Sequence, residues 1–182
     1  MATARRQRKD AARNALLVLE AAAQAFGVGG LAVDMREIAR QAGVGIGTLY
    51  RHYPTKEELL VAVLQADIAA WTERTSTVDT ADAYAALRSY VAATLSTLAE
   101  RRTLLDGLAV GDVAAPAFAA CGEHLRTTLA PLVARAHTDG VLRADVTMED
   151  VGLLIVALSR VVQVAPTAWE RQLDLALTGY RA

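Results

Sequence analysis

The amino-acid sequence predicts an all-α protein, and three observations support that fold class. Alanine makes up about a fifth of the 182 residues, and aromatic residues make up only 5%. Alanine, leucine, arginine and glutamate are strong helix formers. Apolar residues recur at helical spacing in segments that glycine, proline and capping residues separate. We therefore expect about nine helices, and the 53% apolar content is enough for a sizeable core.

A basic arm and a first helix open the chain. Four of the first ten residues are basic: Arg5, Arg6, Arg8 and Lys9. The first helix is expected from about Ala11 to Phe26, where a group of glycines ends it. Residues 1–60 hold nine basic against six acidic residues, and residues 61–182 hold ten against fourteen. This asymmetry indicates two parts with different tasks, although it does not by itself establish nucleic-acid binding.

Two short helices come next, joined by a tight turn. Asp34 is a suitable N-cap for the first of them, and Glu37 stands at the capping-box position. Gly43 ends that helix, because glycine adopts a positive φ at low cost. The second runs from Ile46 to about Tyr53, before a proline. Two such helices packed against a longer first helix predict a helix-turn-helix unit.

The remaining residues predict a larger helical domain. Thr55 can cap a fourth helix, which ends near Arg74. Further helices are expected over about 81–100, 104–111, 116–137, 147–164 and 166–180, with Thr147 as the cap of the penultimate one.

The helix-turn-helix segment carries a resemblance to a known family. Five elements stand in order between residues 36 and 60: Ile38-Ala39, Ala42-Gly43-Val44, Gly47-Thr48-Leu49-Tyr50, His52-Tyr53 and Thr55-Lys56-Glu57-x-Leu59. This segment resembles the DNA-binding signature of TetR-family regulators, and with the first helix the resemblance covers about residues 11–65. The ending, from residue 144 to 181, is similar to the C-terminal domain of SbtR-like members.

The resemblance implies a division of labour along the chain. Residues 1–54 are expected to form the DNA-binding domain with its basic arm, and residues 55–182 a helical domain for effector binding and dimerisation. The implied function is a sequence-specific transcriptional regulator. It is expected to be a repressor that a small apolar or aromatic effector releases from a near-palindromic double-stranded operator.

The residues expected to face DNA bases are Ile46, Gly47 and Thr48 at the start of the recognition helix and Arg51 one turn on. Gly45, just before this helix, is expected to belong to the same DNA-binding surface. Ile46 offers only apolar contact, and Gly47 permits close approach of the backbone. Thr48 can donate or accept a hydrogen bond, and Arg51 suits bidentate contact with guanine. Gly45 stands where the family often has serine, so this helix is expected to lack a side-chain cap.

Four further residues are expected to contact the DNA backbone or its vicinity. The resemblance assigns phosphate contacts to Tyr50, His52 and Lys56 and a DNA contact to Arg36. A phenol, an imidazole and an ammonium group all suit phosphate oxygens, and such contacts fix position rather than sequence. The basic arm either lies along the DNA or is a solvated tail. Leu49 and Tyr53 are expected in the core.

The penultimate helix predicts a homodimer, because it is apolar nearly all round. One side can face its own core, and the other then needs a partner. Together with the last helix it would form a four-helix interface, from Val151, Leu154, Ile155, Leu158, Val161, Val162, Trp169, Leu173 and Leu177. A two-fold dimer places two recognition helices about 34–36 Å apart. The alternative is a helix wholly buried inside one chain.

An effector site is expected in the second domain. Its candidate lining residues are Trp71, Tyr84, Leu87, Val91, Leu104, Leu108, Phe118, Cys121, His124 and Met148. Ordinary core packing is the alternative interpretation for each of them. Cys121 is expected to be a small buried hydrophobe, with a redox-sensing thiol as the alternative.

The sequence does not favour an enzyme. The three histidines form no recognisable catalytic or metal-ligand spacing with neighbouring residues, and neither a phosphate-binding glycine loop nor a nucleophile elbow is present. No metal and no cofactor are expected. A single cysteine and the lack of a long apolar run favour a cytoplasmic protein without a membrane span. The alternative function is a helical adaptor that binds protein without specific DNA recognition.

Overall fold

The computed structural model describes residues 2–76, 80–101 and 115–182, with side chains from residue 13 onward except at 31 and 116–118. These residues form eight α-helices: α1 (Ala2–Gly29), α2 (Met35–Gln41), α3 (Ile46–His52), α4 (Lys56–Ser76), α5 (Ala83–Glu100), α6 (Ala115–Thr138), α7 (Met148–Val164) and α8 (Trp169–Tyr180). The predicted all-α class is confirmed. The short helix expected over residues 104–111 lies outside the described residues.

Helix α1 is longer than the sequence predicts. It begins at Ala2, so the backbone of the expected basic arm is helical, and it continues to Gly29. The segment before Ala11 contains no glycine or proline and is rich in alanine and arginine, which favour a helix. A positive φ of 55° at Gly30 follows the helix.

Helix α2 begins as expected, but its acidic residue has another role. The Asp34 carboxylate accepts the backbone N–H of Arg36 at 2.8 Å, which confirms Asp34 as the cap. The capping box expected from Glu37 is wrong. The Glu37 carboxylate instead accepts hydrogen bonds from Arg40 (2.9 Å from Nε) and Gln41 (2.8 Å), because these side chains lie one turn further along the same face of α2. These bonds lower the pKa of Glu37 to about 2.

The turn between α2 and α3 depends on glycine. Gly43 has a φ of 67°, and the next N–H, from Val44, reaches back to the carbonyl of Ala39 at 3.0 Å. Ile38 and Leu49 from the two helices are buried in the core. Since helices of seven residues are not stable alone, α2 depends on its packing against α1, and α3 depends on its packing against α2.

Helix α4 packs against both parts of the chain. It contacts α1 at one end and α5 and α6 towards the other. Arg101, after the end of α5, lies 3.5 Å from Glu20 of α1 and 3.6 Å from the buried Asp67 of α4. Arg74 and Glu100 form a second ion pair between α4 and α5, at 3.0 Å. These contacts join the helix-turn-helix unit to the rest of the protein.

Helix α5 is the centre of the C-terminal part. It contacts α6, α7 and α8, and its buried face includes Leu87, Tyr90 and Val91. The C-terminal end is fixed to it by an ion pair between Arg88 and Asp174 at 2.7 Å. None of the helices in the described ranges is long and apolar enough to cross a membrane.

A reciprocal cap begins α7. The Thr147 hydroxyl accepts the N–H of Asp150 at 3.2 Å, which confirms Thr147 as the cap. The Asp150 carboxylate in turn accepts the backbone N–H of Thr147 at 2.8 Å and its hydroxyl at 2.7 Å. These hydrogen bonds hold the pKa of Asp150 below its ordinary value.

We expect Thr147→Ala to lower the free energy of unfolding by about 1 kcal/mol, because one helix N–H loses its acceptor. Thr147→Ser keeps the hydroxyl and should stay close to wild type. The folded state lowers the pKa of Asp150, so the stabilisation is present above the unfolded pKa and is lost as pH falls through the folded one. The difference in free energy of unfolding between wild type and Thr147→Ala should therefore become smaller at acidic pH. Urea unfolding at equal protein concentrations measures both effects, and equal loss in the serine variant would contradict them.

Candidate nucleic-acid interface

The predicted DNA-facing residues lie on the accessible surface of the helix-turn-helix unit. Seven are exposed and two, Thr48 and Lys56, are half-buried. The seven exposed residues are Arg36, Gly45, Ile46, Gly47, Tyr50, Arg51 and His52. They belong to α3, to the residue before it and to the first turn of α2, and Lys56 begins α4. The structure therefore brings all nine to one short helix and its two neighbours.

Packing on its inner side holds α3 in this orientation. Leu49 is only 1% exposed and belongs to the core. Val18 of α1 lines a narrow crevice with Thr48 and His52 on α3. As expected, Gly45 gives no side-chain cap, and its carbonyl accepts the N–H groups of Thr48 (2.9 Å) and Leu49 (3.1 Å). Among the described residues, the outer side of α3 is left accessible.

The basic groups of this surface differ in how much charge they present. Arg40 forms an ion pair with Glu37, which offsets its charge and raises its pKa. Neither Arg36 nor Arg51 has an ion-pair partner among the described residues. Both guanidinium groups are exposed, so they can meet phosphate or base oxygens without breaking an existing pair.

A second group of interacting side chains lies between α4, α5 and α6. The indole N–H of Trp71 donates to the hydroxyl of Thr94 at 3.1 Å. The ring of His124 packs edge-on against the indole, with centroids 4.7 Å apart, and its Nε2 lies 2.7 Å from the Thr75 hydroxyl. Burial lowers the pKa of His124, which favours the neutral imidazole. We call these residues, with Tyr90 and Thr128, the Trp71–His124 cluster.

The rest of this cluster is a hydrogen-bond network. Thr128 donates to the Tyr90 hydroxyl at 3.0 Å, and burial raises the pKa of Tyr90 to about 12.

Cys121 is partly buried against the core, and burial raises the pKa of its thiol. The protonated thiol is a poor nucleophile and a poor metal ligand. In the described part of the chain, no three His, Cys, Asp or Glu residues are placed to hold a metal ion.

The structure brings only some of the predicted effector residues to this cluster. Trp71 and His124 belong to it, and Leu87 and Val91 are fully buried in the adjoining core. Tyr84 does not belong to it. Arg181 stacks over the Tyr84 ring at 4.5 Å, and ten residues of helix, about 15 Å, separate Tyr84 from Thr94.

Four other predicted lining residues need separate mention. Met148 is half-buried at the start of α7, packed against the core. Leu104, Leu108 and the side chain of Phe118 lie outside the described residues.

Four polar members of the cluster were not among the residues predicted from the sequence: Thr75, Tyr90, Thr94 and Thr128. A signal for them was available. Polar residues interrupt the otherwise apolar buried face of α5 at one-turn spacing, from Tyr90 to Thr94.

Most of the side chains predicted for a dimer interface face the interior of the single chain. Seven are buried in the core of the single chain, and Leu154 and Val161 are partly buried against it. The seven are Val151, Ile155, Leu158, Val162, Trp169, Leu173 and Leu177. Because α7 is apolar nearly all round, its sequence did not indicate which side faces the interior.

The opposite face of α7 and α8 carries exposed apolar side chains. Leu153 is 66% and Val156 63% exposed, and Val164 and Leu175 are also exposed. Leu153, Ala157, Arg160 and Val164 follow one another along one stripe of α7, since they are three or four residues apart. We call this surface the outer α7–α8 face.

Comparisons with known proteins agree with this architecture. Two family descriptions match the chain: "Bacterial regulatory proteins, tetR family" over residues 18–63, and "Transcriptional regulator SbtR-like, C-terminal domain" over residues 82–182. An HTH-type transcriptional regulator of Staphylococcus aureus is 40% identical over 62 residues, and the match spans 34% of each chain. The chain thus matches about a third of the length of that curated relative.

Two solved structures match over nearly the whole chain. A TetR transcription regulatory protein from Mycobacterium vanbaalenii is 34% identical, with a TM-score of 0.69, and covers 97% of this chain and 99% of its own. A TetR transcriptional regulator from Streptomyces coelicolor is 26% identical, with a TM-score of 0.69, and covers 92% and 98%. These relatives are regulators rather than enzymes, in agreement with the sequence analysis. The chain belongs to the TetR family of bacterial transcriptional regulators, with an SbtR-like C-terminal domain.

Proposed function

We propose that this protein is a sequence-specific DNA-binding transcriptional regulator that acts in the cytoplasm. The observation that carries the proposal is the outer side of α3 and its neighbours. Nine residues able to contact DNA are accessible there, while Leu49 fixes the helix from the inner side. Arg36 and Arg51 add positive charge suited to DNA. In this proposal residues 1–54 bind DNA together with Lys56 at the start of α4, and the remainder of residues 55–182 binds an effector and a second copy.

The protein should select an inverted repeat from a random pool of duplexes at moderate salt, because two symmetric recognition helices contact two half-sites. The double variant Tyr50→Ala/Lys56→Ala should recover no such sequence. If the wild type shows only salt-sensitive binding without sequence preference, the helical-adaptor alternative is favoured instead.

Single variants separate the two kinds of contact. Lys56→Gln should weaken binding to all sequences and reduce the salt dependence of log Kd by about 0.9 per lost phosphate contact. Arg51→Gln should relax selection at one base pair per half-site and cost about 1–3 kcal/mol at that site. Arg126→Gln removes an exposed positive charge from α6, where Arg126 pairs with Glu123, and serves as the control for the change in net charge.

A homodimer through the outer α7–α8 face is part of the same proposal. Large apolar side chains at Leu153, Val156 and Val164 are exposed to water on one helix and have no partner within the described chain. Contiguous exposed apolar surface of this kind is typical of an interaction site. A two-fold contact between two copies would cover it with the same surface of the partner.

Val156→Arg should convert the dimer to a monomer, because it places a charge within the apolar interface. Light scattering on a sizing column should give about twice 19.3 kDa for the wild type and 19.3 kDa for the variant. Val28→Arg changes an exposed valine of α1 in the same way and should leave the dimer intact. A monomeric wild type, or a dimeric Val156→Arg, would contradict this interface.

The proposed regulation is repression relieved by a small apolar or aromatic effector at the Trp71–His124 cluster. Trp71 and Thr75 of this cluster lie on α4, which also packs against α1 of the DNA-binding part. A ligand that favours one placement of α4 would change operator affinity by its difference in affinity for the two states.

A thermal-shift screen of apolar and aromatic compounds tests this regulation. Trp169→Phe leaves Trp71 as the one remaining tryptophan, so a bound compound should change its fluorescence. The same compound should raise the melting temperature and release operator DNA, and His124→Ala should weaken all three responses. If compounds raise the melting temperature but none releases DNA, regulation through this cluster is disproved.

A further inference from the structure

The recognition helix begins with an apolar side chain between two glycines. Ile46 is 37% exposed, and both Gly45 and Gly47 are exposed beside it. Isoleucine gains stability from burial, and the glycine at position 47, inside the helix, lowers helix stability relative to alanine. Gly45 is the N-cap, where glycine is tolerated but provides no side-chain hydrogen bond. The first turn of α3 therefore has a composition that folding alone does not favour.

The conformation of the chain does not require either glycine. Positive φ values among the described glycines occur at Gly30, Gly43 and Gly140. Gly45 has an ordinary extended φ of −67°, and Gly47 lies within α3. Gly43, by contrast, needs its positive φ for the turn between the helices.

Packing does not require them either. A Cβ atom placed on Gly47 would meet no other atom within 4 Å, and one on Gly45 would meet only the Thr48 hydroxyl at 3.9 Å. Larger residues thus fit at both positions within the chain. Because side chains are missing on both sides of Ile46, the backbone can approach another molecule closely, and the exposed part of Ile46 can contact that molecule.

On the basis of the proposed DNA-binding function, we propose that Gly45, Ile46 and Gly47 form an apolar reading site for the C5-methyl group of one thymine in each half-site. The thymine methyl is the apolar group that an unmodified base pair presents in the major groove. An isoleucine cannot pair with a phosphate or a polar base edge, whereas its methyl groups can pack on that methyl. The hydrogen-bonding residues Thr48 and Arg51 then read neighbouring positions.

Replacing thymine by deoxyuridine tests the site, because uracil keeps every hydrogen-bonding group and lacks only the methyl. In the operator obtained by selection, each thymine of the half-site is replaced in turn. At one position of the half-site, the replacement should lower operator affinity about fourfold, as expected when one methyl group is no longer buried. With Ile46→Ala the same replacement should have no effect, and this double-mutant cycle isolates the contact. Equal loss in wild type and Ile46→Ala, or no sensitive thymine, would overturn the proposal.

Gly47→Ala tests the close approach separately. It should raise the melting temperature, because the new methyl has space and alanine favours the helix. It should also weaken operator binding, because the methyl separates α3 from the base edges. Gly122, an exposed residue of α6, has the same free space for an added Cβ atom. Gly122→Ala should therefore raise the melting temperature without changing operator binding. Unchanged operator affinity in a stabilised Gly47→Ala would contradict the inference.

Failure of this inference differs from failure of the proposed function. If the wild type selects an operator and Lys56→Gln weakens binding, but no uracil replacement matters, only the reading site is wrong. If the wild type selects no sequence at all, both are wrong.

Discussion

The continuous buried face of α4 is the constraint on which the rest of the structure depends. Near its start, Leu59, Leu60, Val63 and Leu64 are buried in the core, and α4 contacts α1. Towards its end, Trp71 and Thr75 bond or pack with residues of α5 and α6. An α-helix of 21 residues is about 30 Å long and is stiff over that length. Neither packed region can therefore move along α4 without disturbing the other, and the ion contacts of Arg101 with Glu20 and Asp67 reinforce this connection.

In the proposed regulation, this arrangement is the route by which a site far from α3 would affect DNA binding without direct contact. The two short helices α2 and α3 have too few residues to be stable alone, so their position follows that of α1, which α2 contacts and against which α4 packs. The Trp71–His124 cluster acts on the same helix from its other end. Its polar groups are satisfied by one another, and no side-chain N or O atom that is fully buried among the described residues lacks a hydrogen bond. A ligand that exchanges these bonds for its own would change the packing of α4, which is the physical basis of the proposed regulation.

Two surfaces of the protein contain residues that intramolecular stability does not explain. One is the first turn of α3, where Ile46 is exposed between glycines. The other is the outer α7–α8 face, where Leu153 and Val156 are exposed although α7 already buries its opposite side. Sequences follow local rules of stability in most places, and departures concentrate where a second molecule binds. The two proposed interfaces, with DNA and with a second copy, coincide with these departures.

The sequence by itself determined the features that depend on residues close together along the chain. The caps at Asp34 and Thr147, the turn at Gly43 and the helical class all follow from interactions within about four residues, which a pattern records directly. The motif around α3 likewise indicated which residues would be exposed. Only the tertiary structure decided which side of α7 is buried, because a helix that is apolar nearly all round has no local signal for its orientation. It also decided the contact between Trp71 and His124, which lie on different helices and meet only after α4, α5 and α6 have packed.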